Sequence, residues 1–394
     1  MKKVLIFSLT YFPHPNGGAE PAIKEITNRL NQDFEFHMIT LRYNSEFPKY
    51  EKYENIHIHR IGFTKHGATL EDAKQFPLFL NKYFYLFLSP IKATQLHFKN
   101  NFQIIWAMMA HTSGVPSAIF KTFFPKVKYV LTLQEGDPIE HIEKIAHYGG
   151  PISWFLFKQG FTKADIIQSI SYYLSDWANR LAPNVPKVLI KNGANPNDLK
   201  EKFTQDEVEE MKIKLGKKMG DIFLVNTSRV VHQKGIDTTI EALKFLPDNI
   251  KFLVVGDGDK IEEYKKLSEN LGVSDRVIFT GRVDRNVVTL YRKASDIFVA
   301  ASRTEGLGNA FVSALASRLP LITTGVGGIA DYAKDGVTAW IVPAENPEKI
   351  AEKVLEIINN PEKVKLISEN ARKMVEEEYD WDKIAVKMKE EVFN

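Results

Sequence analysis

The sequence of 394 residues contains no cysteine, which excludes disulfides, thiolate metal ligands and a cysteine nucleophile. It has no apolar run of the roughly 20 residues that a bilayer-spanning helix needs. No turn reads G-x-G-x-x-G, so a nicotinamide cofactor is not indicated. Neither acidic nor basic residues predominate, with 52 Lys and Arg against 49 Asp and Glu. The formal net charge is +3, and no nucleic-acid partner is expected. The apolar run within Met1–Thr10 is short and runs into Pro13, Pro15 and Gly17 without a small-residue cleavage site. It reads as a first strand and not as a secretory leader, and the cytoplasm is the expected compartment.

What is present is ordinary for a globular chain, with 44% hydrophobic and 26% charged residues. The length exceeds what one core usually serves, so two domains are expected. Short apolar runs alternate with helical patterns from Val4 to Ile190. After the turn-forming stretch Lys191-Asn-Gly-Ala-Asn-Pro-Asn197 the same rhythm restarts at Ile222. Strands alternating with helices imply parallel sheets covered on both faces. The expected architecture is therefore α/β, with residues 1–193 as a first domain built on such a sheet and 194–378 as a second. An amphipathic helix from Tyr379 to Asn394 ends the chain. Between Thr69 and Phe102 the alternation stops at an aromatic stretch, Phe76–Ile91, bracketed by Lys74, Lys82, Lys92 and Lys99. The composition allows a membrane-interface segment, but a helix pair packed on the sheet around an acceptor site is the preferred reading. Residues 1–192 are net basic and carry nine of the ten histidines; the remainder is net acidic. Such asymmetry is compatible with peripheral contact at an anionic surface.

Chemistry concentrates at strand-to-helix turns. The stretch Ala301–Gly328 reads as strand, glycine turn, helix, strand. Its turn carries Glu305, Gly306, Leu307, Gly308 and Asn309. Glycines there let a ligand approach the backbone, and the opening amides of a helix favour phosphate. Glu305 beside such a turn suits sugar hydroxyls. The turn after Ile222–Thr227 sets Arg229 and Lys234 on one loop, where a guanidinium fork and an ammonium can close on a diphosphate. Gly17 with Gly18, and Gly256 with Gly258, make two further turns of the same kind. Asp257 and Asp259 match an Asp-x-Asp metal pattern, but their place before a helix favours a capping role. No metal ligand set is assigned.

The motifs S-R-V-V-H-Q-K-G from Ser228, V-V-G-D-G from Val254, V-I-F-T-G from Val277, E-G-L-G-N from Glu305 and G-V-G-G from Gly325 occur in that order. With Gly17-Gly-Ala-Glu20 and Asn192-Gly193, they make the chain resemble family 4 retaining glycosyltransferases of the GT-B fold. The resemblance implies two doubly wound, Rossmann-like domains facing a central cleft, a nucleotide sugar held mainly by the second, an acceptor bound by the first, and a final helix returning to the first domain. Arg229 and Lys234 then match a diphosphate-binding pair, Glu305 the acceptor of donor-sugar hydroxyls, Gly306–Asn309 a phosphate cradle, and Arg282 with Val283 the turn that meets the base. No cofactor and no obligatory metal are implied. Transfer of a hexosyl group from a nucleoside-diphosphate sugar to a glycan or lipid-linked acceptor is the expected reaction. The sequence departs from the family at two places. A ribose-binding Glu is replaced by Ser313, expected to face the same ligand, and a strand-end His by Gln134, which can donate a hydrogen bond but cannot take a proton. His111 is a further acceptor-side candidate. The alternatives are a degenerate sugar-nucleotide-binding protein and a GT-B epimerase or phosphorylase.

Overall fold

Continuous apolar runs such as Val4–Phe7 and Phe252–Val255 are buried on both faces, as strands of parallel sheets between helices must be. The computed structural model describes residues 1–13, 17–69, 72–200 and 202–394. They divide into two units, Met1–Asn192 with Trp381–Asn394, and Gly193–Asp380.

In the first unit the strands are β1 (Lys2–Phe7), β2 (Phe34–Leu41), β3 (Tyr50–Tyr53), β4 (Ile56–Ile61), β5 (Ile104–Met108), β6 (Lys128–Leu133), β7 (Ile166–Ser169) and β8 (Lys187–Leu189). Their order across the sheet is β3-β4-β2-β1-β5-β6-β7-β8. All neighbours are parallel except β3 and β4, which pair antiparallel. Sequence patterning does not anticipate β3. Its residues, Tyr-Glu-Lys-Tyr, are half-buried or exposed, the composition of a charged edge strand with no apolar face to reveal it. The last segment, helix Trp381–Lys387 with a π-helical end at Met388–Phe393, belongs to this unit. Its Trp381, Ile384, Met388 and Phe393 enter the core beside Ile23, Phe34 and Trp106. Lys389 reaches Asp33 at 2.6 Å.

The second unit holds β9 (Ile222–Thr227), β10 (Ile250–Val255), β11 (Val277–Gly281), β12 (Ile297–Ala300), β13 (Leu321–Thr323) and β14 (Trp340–Ile341). Their order is β11-β10-β9-β12-β13-β14, and every pairing is parallel.

The aromatic stretch differs from its expected form. It is one helix, Asn81–Asn100, entered through short 3-10 turns, and not a helix pair. Tyr85, Ser89, Ala93 and Leu96 form its buried stripe. On the other side Tyr83, Phe84, Phe87, Leu88, Ile91 and Phe98 stay exposed. Pro90 lies inside the helix without ending it. No helix among the described residues is long and apolar enough to cross a membrane.

Candidate active site

In an open α/β sheet, ligands bind outside the carboxyl ends of the strands where the strand order reverses. In the second unit that point lies between β9 and β12. The loop leaving β9 carries Arg229 and Lys234, and the loop leaving β12 carries Glu305. The two loops meet: Lys234 Nζ lies 2.5 Å from Glu305 Oε2, with both side chains largely buried. Residues 71 positions apart thus form one charged pair. Arg303 braces this junction. Its guanidinium donates to both carboxylate oxygens of Asp237 at 3.0 and 2.9 Å, and to the His232 carbonyl at 2.8 Å. Arg229 is exposed, and its guanidinium has no protein partner among the described residues.

The glycines of these turns serve loop-to-loop contact. A Cβ on Gly235, whose φ is +62°, would lie 1.9 Å from the Ala301 carbonyl; one on Gly256 would lie 1.9 Å from that of Ser228; one on Gly258 would lie 2.2 Å from that of Val230. Gly327 stands in the same relation to Glu305, its Cβ position being 2.1 Å from the Glu305 carbonyl oxygen. The G-V-G-G motif is therefore the wall that fixes the Glu305 backbone, whose carbonyl also accepts the Gly328 amide at 3.0 Å. For Gly256 and Gly258, close backbone packing accounts for the glycine without any ligand. Asp257 Oδ1 accepts the Gly258 amide. The following helix starts at Ile261 with no side-chain cap, so the expected capping role of Asp257 and Asp259 does not hold.

Gly308 takes φ +84° and occupies the N-cap of helix Asn309–Ala316, where no side chain folds back over the first amides. The preceding carbonyl, of Leu307, is held by Tyr332 at 2.8 Å. This is the uncapped, positively polarised end that the sequence places after Glu305. Ser313, on the same helix, is buried and committed elsewhere: its hydroxyl accepts from the Asn195 amide at 3.0 Å and donates to the Asn309 carbonyl at 2.8 Å. Here the Ser313 hydroxyl seats the chain that enters this unit. Asp198 completes that seat. It is fully buried against Arg292 and accepts from Ser317 at 2.5 Å, and Arg372 donates to the carbonyls of Asp198 and Leu199. Arg282 is exposed at the end of β11, followed by the half-buried Val283.

The strand order of the first unit reverses between β1 and β5. Gly17 and Gly18 follow β1. The Gly17 amide donates to Glu20 Oε2 at 3.1 Å, while the other carboxylate oxygen of Glu20 accepts from the Thr10 hydroxyl. Residues 14–16 of this loop lie outside the described residues. Beyond β5, Met109 sits at φ 70° and His111 is the second residue of a π-helical turn, Ala110–Gly114. His111 Nδ1 has no hydrogen-bond partner among the described residues yet lies 3.5 Å from Glu135 Oε1, a carboxylate with no exposed side-chain surface. Glu135 accepts the Ala110 amide at 2.5 Å and the Gln134 amide at 2.9 Å. Gln134 itself forms a reciprocal amide pair with Asn192, at 2.9 and 2.7 Å. The structure therefore brings Gln134, Glu135 and His111 together at the ends of β5 and β6. Sequence reasoning passes over Glu135, although an acid directly after a buried strand is an available signal. It misses Arg303, two residues before Glu305, likewise.

Residues 207–374 match the family described as Glycosyl transferases group 1. An uncharacterised glycosyltransferase of Methanocaldococcus jannaschii is 24% identical, with 99% of this chain and 98% of that protein covered. The alpha-monoglucosyldiacylglycerol synthase of Streptococcus pneumoniae is 25% identical over 82% of this chain and 71% of its own length. Among solved structures, sucrose-phosphate synthase from Thermosynechococcus elongatus superimposes with a TM-score of 0.83 at 18% identity, covering 99% of this chain and 98% of that one. Anabaena HepE, crystallised with UDP-glucose, gives 0.77 at 18% identity with full coverage of both chains. Residues 207–374, in the second unit, thus match the group 1 glycosyl transferases, and the two units with these strand-end loops share the GT-B fold of the solved structures.

Proposed function

We propose that the protein is a retaining glycosyltransferase that moves a hexosyl group from a nucleoside-diphosphate sugar to an acceptor hydroxyl, without an obligatory metal. The observation that carries this reading is the Lys234–Glu305 pair at the strand-order reversal, with Arg229 on the same loop exposed and its guanidinium unpartnered among the described residues. Lys234, Arg229 and the amides after Gly308 would stabilise charge developing on the departing diphosphate. Glu305 would accept from donor-sugar hydroxyls. Retention without a carboxylate nucleophile implies attack from the leaving-group side, with the diphosphate helping to deprotonate the acceptor. His111, Glu135 and Gln134 are the acceptor-side residues of the first unit. HepE was crystallised in complex with UDP and glucose, and a relative in Mycobacterium tuberculosis is named as GDP-mannose-dependent; both support a nucleotide-sugar donor.

The test is a thermal-shift panel of UDP, GDP and their hexoses, followed by donor hydrolysis and transfer assays. A donor at 100 times its Kd should add about 2.7 kcal/mol of stability, and slow hydrolysis of that donor should accompany binding. Binding without hydrolysis or transfer would instead identify a sugar-nucleotide-binding protein. Release of hexose phosphate, or an epimerised donor in the absence of acceptor, would identify a phosphorylase or epimerase.

The exposed aromatic stripe of helix Asn81–Asn100, with Lys82 and Lys99 exposed beside it, suits an anionic bilayer surface: aromatic and aliphatic side chains enter the interface while ammonium groups meet lipid phosphates. A lipid-linked acceptor would be met there. Cosedimentation with phosphatidylglycerol vesicles should exceed that with phosphatidylcholine vesicles, and should fall at least about tenfold in a Phe87→Ser, Ile91→Ser variant. Wild-type protein that stays in the supernatant with phosphatidylglycerol vesicles would rule the contact out.

A further inference from the structure

Four residues on β2 and β4 have no part in the strand-end site. Glu35 and His37 are two apart on β2, and His57 and His59 are two apart on β4, so all four project from one face of the sheet. His37 stands opposite His57 in the strand register. The other face of the same strands carries Phe34, Phe36, Ile56 and Ile58 in the hydrophobic core. Strands of a parallel sheet usually read apolar on both faces, so a face given to imidazoles calls for a reason.

The side chains are arranged, not scattered. His37 Nε2 lies 2.8 Å from Glu35 Oε1, and the rings of His37 and His57 stack with centroids 4.7 Å apart. One ligand atom from each of Glu35, His37 and His57 lies within 4.8 Å of the others. The remaining nitrogens are engaged: His37 Nδ1 meets His59 Nε2 at 3.2 Å, and His57 Nδ1 meets the Tyr50 hydroxyl at 2.8 Å.

We propose that Glu35, His37 and His57 form a site for a zinc-like divalent cation, with His59 and Tyr50 orienting the two imidazoles. Two imidazoles and one carboxylate match the ligand preference of zinc and leave a fourth position for water. Partners on the far ring nitrogen are what metal-binding histidines ordinarily have. Each Nδ1 would carry its proton, His37 donating to His59 Nε2 and His57 to the Tyr50 oxygen, so that both Nε2 atoms face the metal. Lys3, now 3.0 Å from Glu35, opposes the cation. Its side chain is part-exposed and must swing into water on binding. The bound ion would tie β2 to β4 and, through Tyr50, to the edge strand β3, so its binding energy becomes stability of the first unit.

The experiment is calorimetric titration of the full chain, stripped with EDTA and dialysed, using zinc chloride and, in parallel, magnesium chloride. One equivalent of zinc should bind and magnesium should not, because imidazole suits zinc and oxygen ligands suit magnesium. His57→Ala should weaken zinc binding by about 100-fold, and Tyr50→Phe by about tenfold, the low end of the effect of losing an orienting partner. Glu35→Gln, at a part-exposed position, serves as a second ligand variant should His57→Ala fold poorly. His66→Ala, a highly exposed histidine beside Glu46, should leave the titration unchanged. The proposal is overturned if wild-type protein takes up no zinc, if the His57 and Glu35 variants bind it as tightly as wild type, or if affinity follows His66 instead.

Discussion

Arg229→Ala will lower the rate of glycosyl transfer by about 10²- to 10³-fold, the usual cost of removing one donor from a charge-stabilising site, and will leave the melting temperature unchanged. The two halves of this expectation come from the same observation. The Arg229 guanidinium is exposed and has no protein partner among the described residues, so the folded state does not depend on it. A solvated loop arginine would also leave stability unchanged, but it would leave turnover unchanged as well. Arg229→Lys separates charge from shape. An ammonium keeps the charge but loses the planar fork that grips two phosphate oxygens, so turnover should recover only in part. The measurement is kcat at saturating donor together with a melting curve. Activity within threefold of wild type in the alanine variant would remove Arg229 from the site.

What the sequence makes legible is whatever each strand-turn-helix unit carries within itself. Arg229, Lys234, Glu305 and the glycines after it stand out because an apolar run, a turn and a helical pattern announce a strand end, where α/β proteins bind ligands. Long-range partners are not legible. Ser313 falls on its helix as expected, but the Asn195 amide that claims its hydroxyl lies 118 residues earlier. Gln134 reads as a donor free for sugar, while Asn192, 58 residues on, holds its amide from both ends. Glycine reads as room for a ligand, and at Gly256, Gly258 and Gly327 it is room for another backbone. The charged edge strand β3 escapes notice for a different reason, since pairing at an edge needs no apolar face.

Lys234 and Glu305 test whether their pair serves chemistry or only the joining of two loops. Sequence reasoning puts Lys234 on one loop with Arg229 and does not pair it with Glu305. In the structure its side chain is mostly buried against Glu305, so Lys234→Ala strands a carboxylate and Glu305→Ala strands an ammonium. Each should lower stability by up to about 3 kcal/mol, the low end of the cost of breaking a buried pair. The double variant Lys234→Met, Glu305→Gln removes both charges while keeping side-chain length, and should be more stable than the two single losses added together predict. A purely structural pair would recover activity along with stability. A pair that serves catalysis requires the opposite: transfer stays at least about 10²-fold down in the double variant, because the leaving group has lost a cation. Glu305→Gln alone makes the sharper case. It frees Lys234 from its counter-charge, so affinity for the free nucleoside diphosphate should hold or tighten, while transfer is lost with the carboxylate that accepts from the sugar. Calorimetry with the diphosphate alone decides it. If Glu305→Gln abolishes diphosphate binding in a protein that remains folded, Glu305 supports the loop or the nucleotide, and the sugar is held by another group.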